Sequence, residues 1–158
     1  MKSFQKKYII IFWTALLSVF CLDFLAKRWV VSETFEPVRI IGRFFYLTNY
    51  QKNDGIAFGI DVPLWIQLLG SIIIIYLLLD LVFKGFLEKE GSHFKIALTG
   101  AIIGGGIGNL VDRAVNGFVV DFIVLKPFPL FNIADVGITV GLVLLFATIL
   151  MDKRKSKT

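Results

Sequence analysis

Asp23, Asp112, Asp121 and Asp135 are carboxylates in apolar surroundings, where an acid is costly, and they pose the chemical question of this chain. Asp121 lies in Gly117-Phe118-Val119-Val120-Asp121-Phe122 and Asp135 in Phe131-Asn132-Ile133-Ala134-Asp135. Two carboxyl groups brought close cannot both ionise cheaply, so they share a proton. One then acts as base on a water while the other polarises a carbonyl, which hydrolyses a peptide with neither a metal nor a covalent intermediate. Each residue also has a plainer reading. Asn132 with an acid at Asp135, three residues on, resembles a capping box at a helix start, and Asp121 read alone is a loop acid, a poor fit between Val120 and Phe122. Asn109 and Asp112 share a helix face; Asp112 beside Arg113 reads as a paired interfacial charge, although spacing alone leaves it open as a member of the carboxylate pair. Asp23 and Lys27 read as a helical ion pair with a supporting role.

Other chemistries find less support. One histidine and one cysteine argue against a zinc site, and the single Cys21 cannot form an intramolecular disulfide. No H-E-x-x-H or G-x-S-x-G pattern occurs, which disfavours metallo and serine hydrolysis. Gly100, Gly104 and Gly108 repeat every four residues without a P-loop lysine, so they predict close helix packing rather than a phosphate cradle.

The elements that must position these residues follow from composition. Of 158 residues 56% are hydrophobic and 15% aromatic, with a mean hydropathy of +0.77, far more apolar than a soluble domain. A bilayer core of about 30 Å needs roughly 17 to 25 apolar residues per helix. The stretches 8–26, 63–83, 94–111 and 133–151 meet that need, predicting an all-α integral membrane domain over 1–158, with external segments at 27–62 and 112–132. Lys2, Lys6 and Lys7 at the start, Lys84, Lys89 and Lys95 in the middle, and Lys153, Arg154, Lys155 and Lys157 at the end place both termini in the cytoplasm. Lys27, Arg28, Arg39, Arg43 and Lys52, on the opposite side, run against that rule. The net charge of +5 thus flanks apolar spans and predicts membrane orientation, with no nucleic-acid partner. A basic start before an apolar run also describes a secretory signal, but Phe20 is too large to precede a cut and three more spans follow.

Threading the spans gathers the unusual polar residues at one end. The first span finishes at Asp23 and Lys27, the third at Asn109, Asp112 and Arg113, and the fourth starts at Asn132 and Asp135. The external segments add Asn53 and Asp121. A charged carboxylate within a span costs roughly 2.5–3.5 kcal/mol on insertion scales, so this crowding needs a reason. Catalysis, ion passage and interfacial solvation are the candidates. A transport site belongs near the midplane on broken helices, whereas these acids sit at one end beside the loop 35–61. That loop is rich in β-formers, with a turn signal at Asn53-Asp54-Gly55, and predicts a small sheet at the membrane surface that can hold an extended peptide.

Taken together, the chain resembles the lipoprotein signal peptidases (signal peptidase II). The matching motifs are Asn53-Asp54-Gly55-Ile56-Ala57-Phe58, Gly108-Asn109-Leu110-Val111-Asp112-Arg113, Val119-Val120-Asp121-Phe122 and Phe131-Asn132-Ile133-Ala134-Asp135, in the family's order. The resemblance implies an aspartyl endopeptidase of the bacterial cytoplasmic membrane, its site near the outer face. It would cut diacylglyceryl-modified prolipoproteins just before the lipid-bearing cysteine, need no cofactor, and act as a monomer among membrane lipids. By the same correspondence Asp121 and Asp135 are catalytic. Asp23, Lys27, Asn53, Gly55, Asn109, Asp112, Arg113 and Asn132 are supporting or substrate-binding, with Asp112 holding Arg113 or a neighbouring backbone group. Two features depart from the family: Ala26 stands where a hydroxyl residue commonly precedes the lysine, and the segment from Asp121 to Asp135 is short, although it keeps Pro127 and Pro129.

Overall fold

The computed structural model describes residues 3–55, 60, 62–82, 84 and 92–155. Ile56, Ala57 and Phe58 of the first motif, and the flanking Lys2, Lys89 and Lys157, lie outside them. Helices α1 (Ser3–Ser32), α2 (Leu64–Leu81), α3 (His93–Asn116) and α4 (Ile133–Lys155) are each long and apolar enough to cross a membrane. Strands β1 (Val38–Ile41) and β2 (Phe45–Asn53) lie between α1 and α2, and β3 (Val119–Leu125) lies between α3 and α4.

α3 is the central helix and packs on the other three. Its small residues make this possible. A Cβ on Gly100 would meet the Phe12 carbonyl oxygen of α1 at 2.5 Å, one on Gly104 would collide with the Leu16 carbonyl, and one on Gly108 would lie 2.8 Å from an Asp23 carboxylate oxygen. The repeat predicted to allow close approach is therefore the α1 contact. The next residue round the helix, Gly105, faces α4 in the same way, where a Cβ would meet the Ala134 carbonyl at 2.5 Å. The outward faces of α1, α2 and α4 carry exposed Ile10, Trp13, Leu17, Ile73, Tyr76, Val143 and Phe146. In water such a surface invites aggregation; against lipid it is matched to its solvent.

Three helices run further than the sequence predicts, α4 only by its last turn, past 151 to Lys155. α1 continues past 26 to Ser32, because Lys27 turns into the protein and Val30 is buried instead of marking a solvated end. α3 continues past 111 to Asn116 and stops at Gly117, whose φ of 82° supplies the left-handed cap that donates to the Arg113 carbonyl. The chain reverses there into β3.

The sheet is antiparallel in the order β1-β2-β3, so the expected small sheet is present but takes its third strand from the segment after α3. Gln51 pairs with Asp121 and Asn53 with Val119, after a register irregularity between Leu47 and Gln51. Val119 through Val124 are all buried, as suits a β-branched run covered on both faces. Val120, Phe122 and Ile123 join Val30 of α1 in a core that also receives Phe45, Leu47, Tyr50, Phe131 and Ile133. The sheet is thus bolted to the ends of α1 and α4.

Candidate active site

The site forms where α1 and α3 end, α4 begins, and β2 and β3 lie across them. Lys27 is its electrostatic centre, buried at 5% exposure one helical turn after Asp23. Its ammonium has three donors, and they meet Asp23 Oδ2 at 2.7 Å, Asp112 Oδ2 at 2.9 Å and Asn109 Oδ1 at 3.0 Å. Asp23 also accepts the Ala134 N–H at 2.8 Å, which ties α1 to the first turn of α4. Asp112 accepts the Val120 N–H at 3.1 Å, which fixes β3 beside α3.

Asn109 passes this order on. Its Oδ1 accepts from both Lys27 Nζ and Asn132 Nδ2, so its Nδ2 is the group left to face Asp135, and it donates to Asp135 Oδ1 at 2.8 Å. Asn132, fully buried, stands between the two acids. Its Nδ2 donates to Asp121 Oδ1 at 2.8 Å and its backbone N–H to Asp135 Oδ2 at 3.3 Å, while its Oδ1 accepts the Asp135 N–H at 2.9 Å. The reciprocal bonds between Asn132 and Asp135 are a capping box, so the plainer reading of this pair is present alongside its place in the site.

Asp121 is buried at 2% exposure, and its second oxygen accepts Asn53 Nδ2 at 2.8 Å. Burial pushes its carboxyl up to about 6, against the downward pull of the Asn53 bond; the negative charge of Asp135 acts in the same direction as burial. A cleft of about 300 Å³ opens here, lined by residues 51–55, Asp121, Pro129 and Leu130. Asn53 is held in place by its own turn, its Oδ1 accepting the Gly55 N–H at 3.1 Å. Among the described residues no group of His, Cys, Asp and Glu is arranged to hold a metal.

The structure therefore brings all ten sequence-predicted residues, from Asp23 to Asp135, to one end of the bundle, and of the two partners expected for Asp112 it shows a neighbouring backbone group and not Arg113. Asp112 holds Lys27 and the Val120 backbone, whereas Arg113 donates to Gln67 Oε1 at 2.6 Å and to the Gly55 carbonyl at 3.1 Å. Adjacent residues on a helix diverge by about 100°, so neighbours in sequence reach different partners. Gln67 was not singled out by the sequence reading. Its signal is plain afterwards: it is a lone amide in a long apolar run, and such a residue needs a buried partner.

A family profile described as signal peptidase (SPase) II matches residues 15–151. A lipoprotein signal peptidase from Syntrophomonas wolfei is 36% identical over 149 residues, covering 92% of this chain and 97% of its own. One from Halalkalibacterium halodurans is 35% identical over 158 residues, covering 93% and 96%. Two solved bacterial membrane enzymes superpose with TM-scores of 0.77 and 0.75 at 26% and 27% identity; they cover 94% and 93% of this chain and 90% and 94% of their own. With its helices, its sheet and nearly its whole length matched, this chain belongs to the signal peptidase II family of peptidases.

Proposed function

We propose that this chain is an aspartyl endopeptidase that frees diacylglyceryl-modified prolipoproteins of their signal peptides, cutting just before the lipid-bearing cysteine. Membership of the family supports the removal of signal peptides from prolipoproteins. The single observation that carries the mechanism is Asn132, one buried side chain and backbone unit that contacts both Asp121 and Asp135. Asp121, with its raised affinity for a proton, carries the shared proton. Asp135, which accepts from Asn109 Nδ2 and the Asn132 N–H, is the ionised base. Asp135 takes a proton from water as its oxygen attacks the scissile carbonyl carbon, and Asp121 gives its proton to the carbonyl oxygen. The tetrahedral diol then collapses: Asp121 recovers a proton from one hydroxyl, the C–N bond breaks, and the departing amine takes the proton held by Asp135.

The cleft along 51–55 takes the extended peptide, and the apolar faces between helices take the acyl chains, whose remote binding energy supports the chemical step. Incubation of the purified protein in detergent with matched prolipoproteins, with and without the diacylglyceryl group, tests both parts by the mass of the released peptide. Cleavage of the lipidated substrate alone is expected; equal cleavage of the two would sink the lipid requirement. We place the site at the outer face of the bacterial cytoplasmic membrane with both termini inside, on the basic flanks at Lys6, Lys7 and Lys95. In a Cys21→Ser background, an impermeant thiol reagent applied to intact cells should label a cysteine at Asp54 and spare one at Ser92. The reverse pattern inverts the topology.

A further inference from the structure

Gln67 is a buried polar side chain in a mostly apolar helix, 6% exposed, and none of its polar atoms is idle. Its Nε2 donates to the Asp54 carbonyl at 2.8 Å and to the Val62 carbonyl at 2.6 Å, and its Oε1 accepts Arg113 Nε at 2.6 Å. It therefore holds both the departing and the returning strand of the connection between β2 and α2, and it holds them to α3. Arg113 closes a second link through its Nη2 to the Gly55 carbonyl. Gly55 in turn gives its N–H to Asn53 Oδ1, and Asn53 Nδ2 reaches Asp121 Oδ2. The orientation of the Asn53 amide is fixed by this sequence of bonds, because its Oδ1 is committed to Gly55 and only its Nδ2 remains for the carboxylate.

We propose that Gln67 is a positioning residue for the peptidase reaction, a buried hub on α2 that sets the Asn53 amide against Asp121 through Arg113 and the 54–55 backbone. The inference rests on the aspartyl reading of the site. A glutamine whose role was helix packing would need no bond to the 54–62 segment; an apolar residue of equal volume would serve as well there. An uncommitted amide at this depth would also carry an unsatisfied polar cost, so the bonds define what the residue is for.

The experiment is a double-mutant cycle between Gln67→Met and Asn53→Ala, read by the pH profile of kcat/KM on the lipidated substrate. Asp121 is surrounded by Lys27 on α1, Lys52 on β2, Asp112 and Arg113 on α3 and Asp135 on α4; the cycle substitutes none of these, and among them only Arg113 loses a partner, at its Nε in Gln67→Met. Because the Asn53 bond lowers the proton affinity of Asp121, loosening it moves the alkaline limb to higher pH. Gln67→Met is expected to move that limb upward and to lower kcat/KM by roughly tenfold, the scale of sub-ångström to ångström misplacement in a site. In the Asn53→Ala background the same substitution should add little. Additive losses with an unmoved limb overturn the proposal and leave Gln67 a packing residue, as does wild-type behaviour of Gln67→Met. Should Gln67→Met melt too low to assay, Gln67→Glu runs the same cycle, keeping the acceptor for Arg113 while giving up the paired donors to Asp54 and Val62. Asp121→Asn in the same assay separates the two levels: if it stays active the aspartyl reading fails, whatever the cycle shows.

Discussion

At one end of the bundle Lys27 lies buried at 5% exposure among Asp23, Asp112 and Asn109; at the other, Lys95 of α3 pairs with Asp152 of α4, whose side chain is 60% exposed. Both ends tie helices together with charge. At the far end the tie is reinforced by His93 packed edge-on against Tyr8, with ring centroids 4.9 Å apart, and the exposed Asp152 carboxylate is open to water or headgroups. At the site end nothing replaces a lost partner. Lys27, Asn109 and Asn132 each have their donors assigned to carboxylate or amide oxygens, so one removal leaves several buried groups unpartnered. The difference shows that a similar residue type serves anchorage where it is solvated and geometry where it is not. It also ranks what substitutions should do.

The largest effect is on turnover. Asp121→Asn and Asp135→Asn should each abolish release of the signal peptide while the protein still purifies as a folded species, since each keeps size but loses the carboxylate that exchanges protons. An active Asp121→Asn beside a folded but inactive Asp112→Asn would instead move the pair to Asp112 and Asp135. Asp112→Asn is expected to keep partial activity with a lower melting temperature, because it weakens the hold on Lys27 and on the Val120 N–H.

Next comes Lys27→Met, which leaves the buried Asp23 and the partly buried Asp112 without their cation. Stranding a buried charge typically costs about 3–5 kcal/mol, so the variant should accumulate poorly or melt far below the parent. Its partner prediction concerns pH. The folded value of Asp121, about 6, lies above its ordinary 3.8, so its contribution to stability is full below 3.8 and is lost as pH rises through about 6. Asp121→Asn removes that dependence, and its melting temperature should improve relative to the parent as pH rises from ~4 to ~7. The gain is partly offset at every pH, because both Asp121 oxygens accept amide N–H groups and an asparagine must turn its own NH2 toward one of them. A gap that stays constant with pH would remove burial as the cause.

Much of this arrangement was legible in the sequence, and the failures are instructive. Four spans follow from length and hydropathy alone, and the glycine repeat signals close helix packing, which the structure places against α1. The end of α1 was misplaced because Lys27 and Arg28 look like the polar limit of a span, whereas only the structure shows Lys27 turned inward to Asp23. The sequence puts β3 in an external segment without marking it as a strand: a run such as Val119-Val120-Asp121-Phe122-Ile123-Val124 has β-forming residues, but its partner β2 lies some 70 positions earlier, and pairing at that range leaves no local signature. The partner of Arg113 was missed for the same reason, since Gln67 is 46 residues away and on another helix. What sequence supplied was which residues are too costly to be incidental; which oxygen faces which donor required the fold.

The smallest predicted effect closes the comparison at the far end. Lys95→Met removes this one cation from Asp152, whose carboxylate is 60% exposed and so stays hydrated. Exposed ion pairs contribute about 0.2–1 kcal/mol, and less as salt rises, so the variant should melt within a few degrees of the parent and cleave substrate at the parental rate. Raising the salt should narrow even that gap, whereas the Lys27→Met deficit, arising among buried groups, should persist. If Lys95→Met proved as damaging as Lys27→Met, the distinction between a solvated anchor and a buried framework would be wrong. The Lys95 and Asp152 pair would then have to be counted among the contacts that set the helix positions at the site itself.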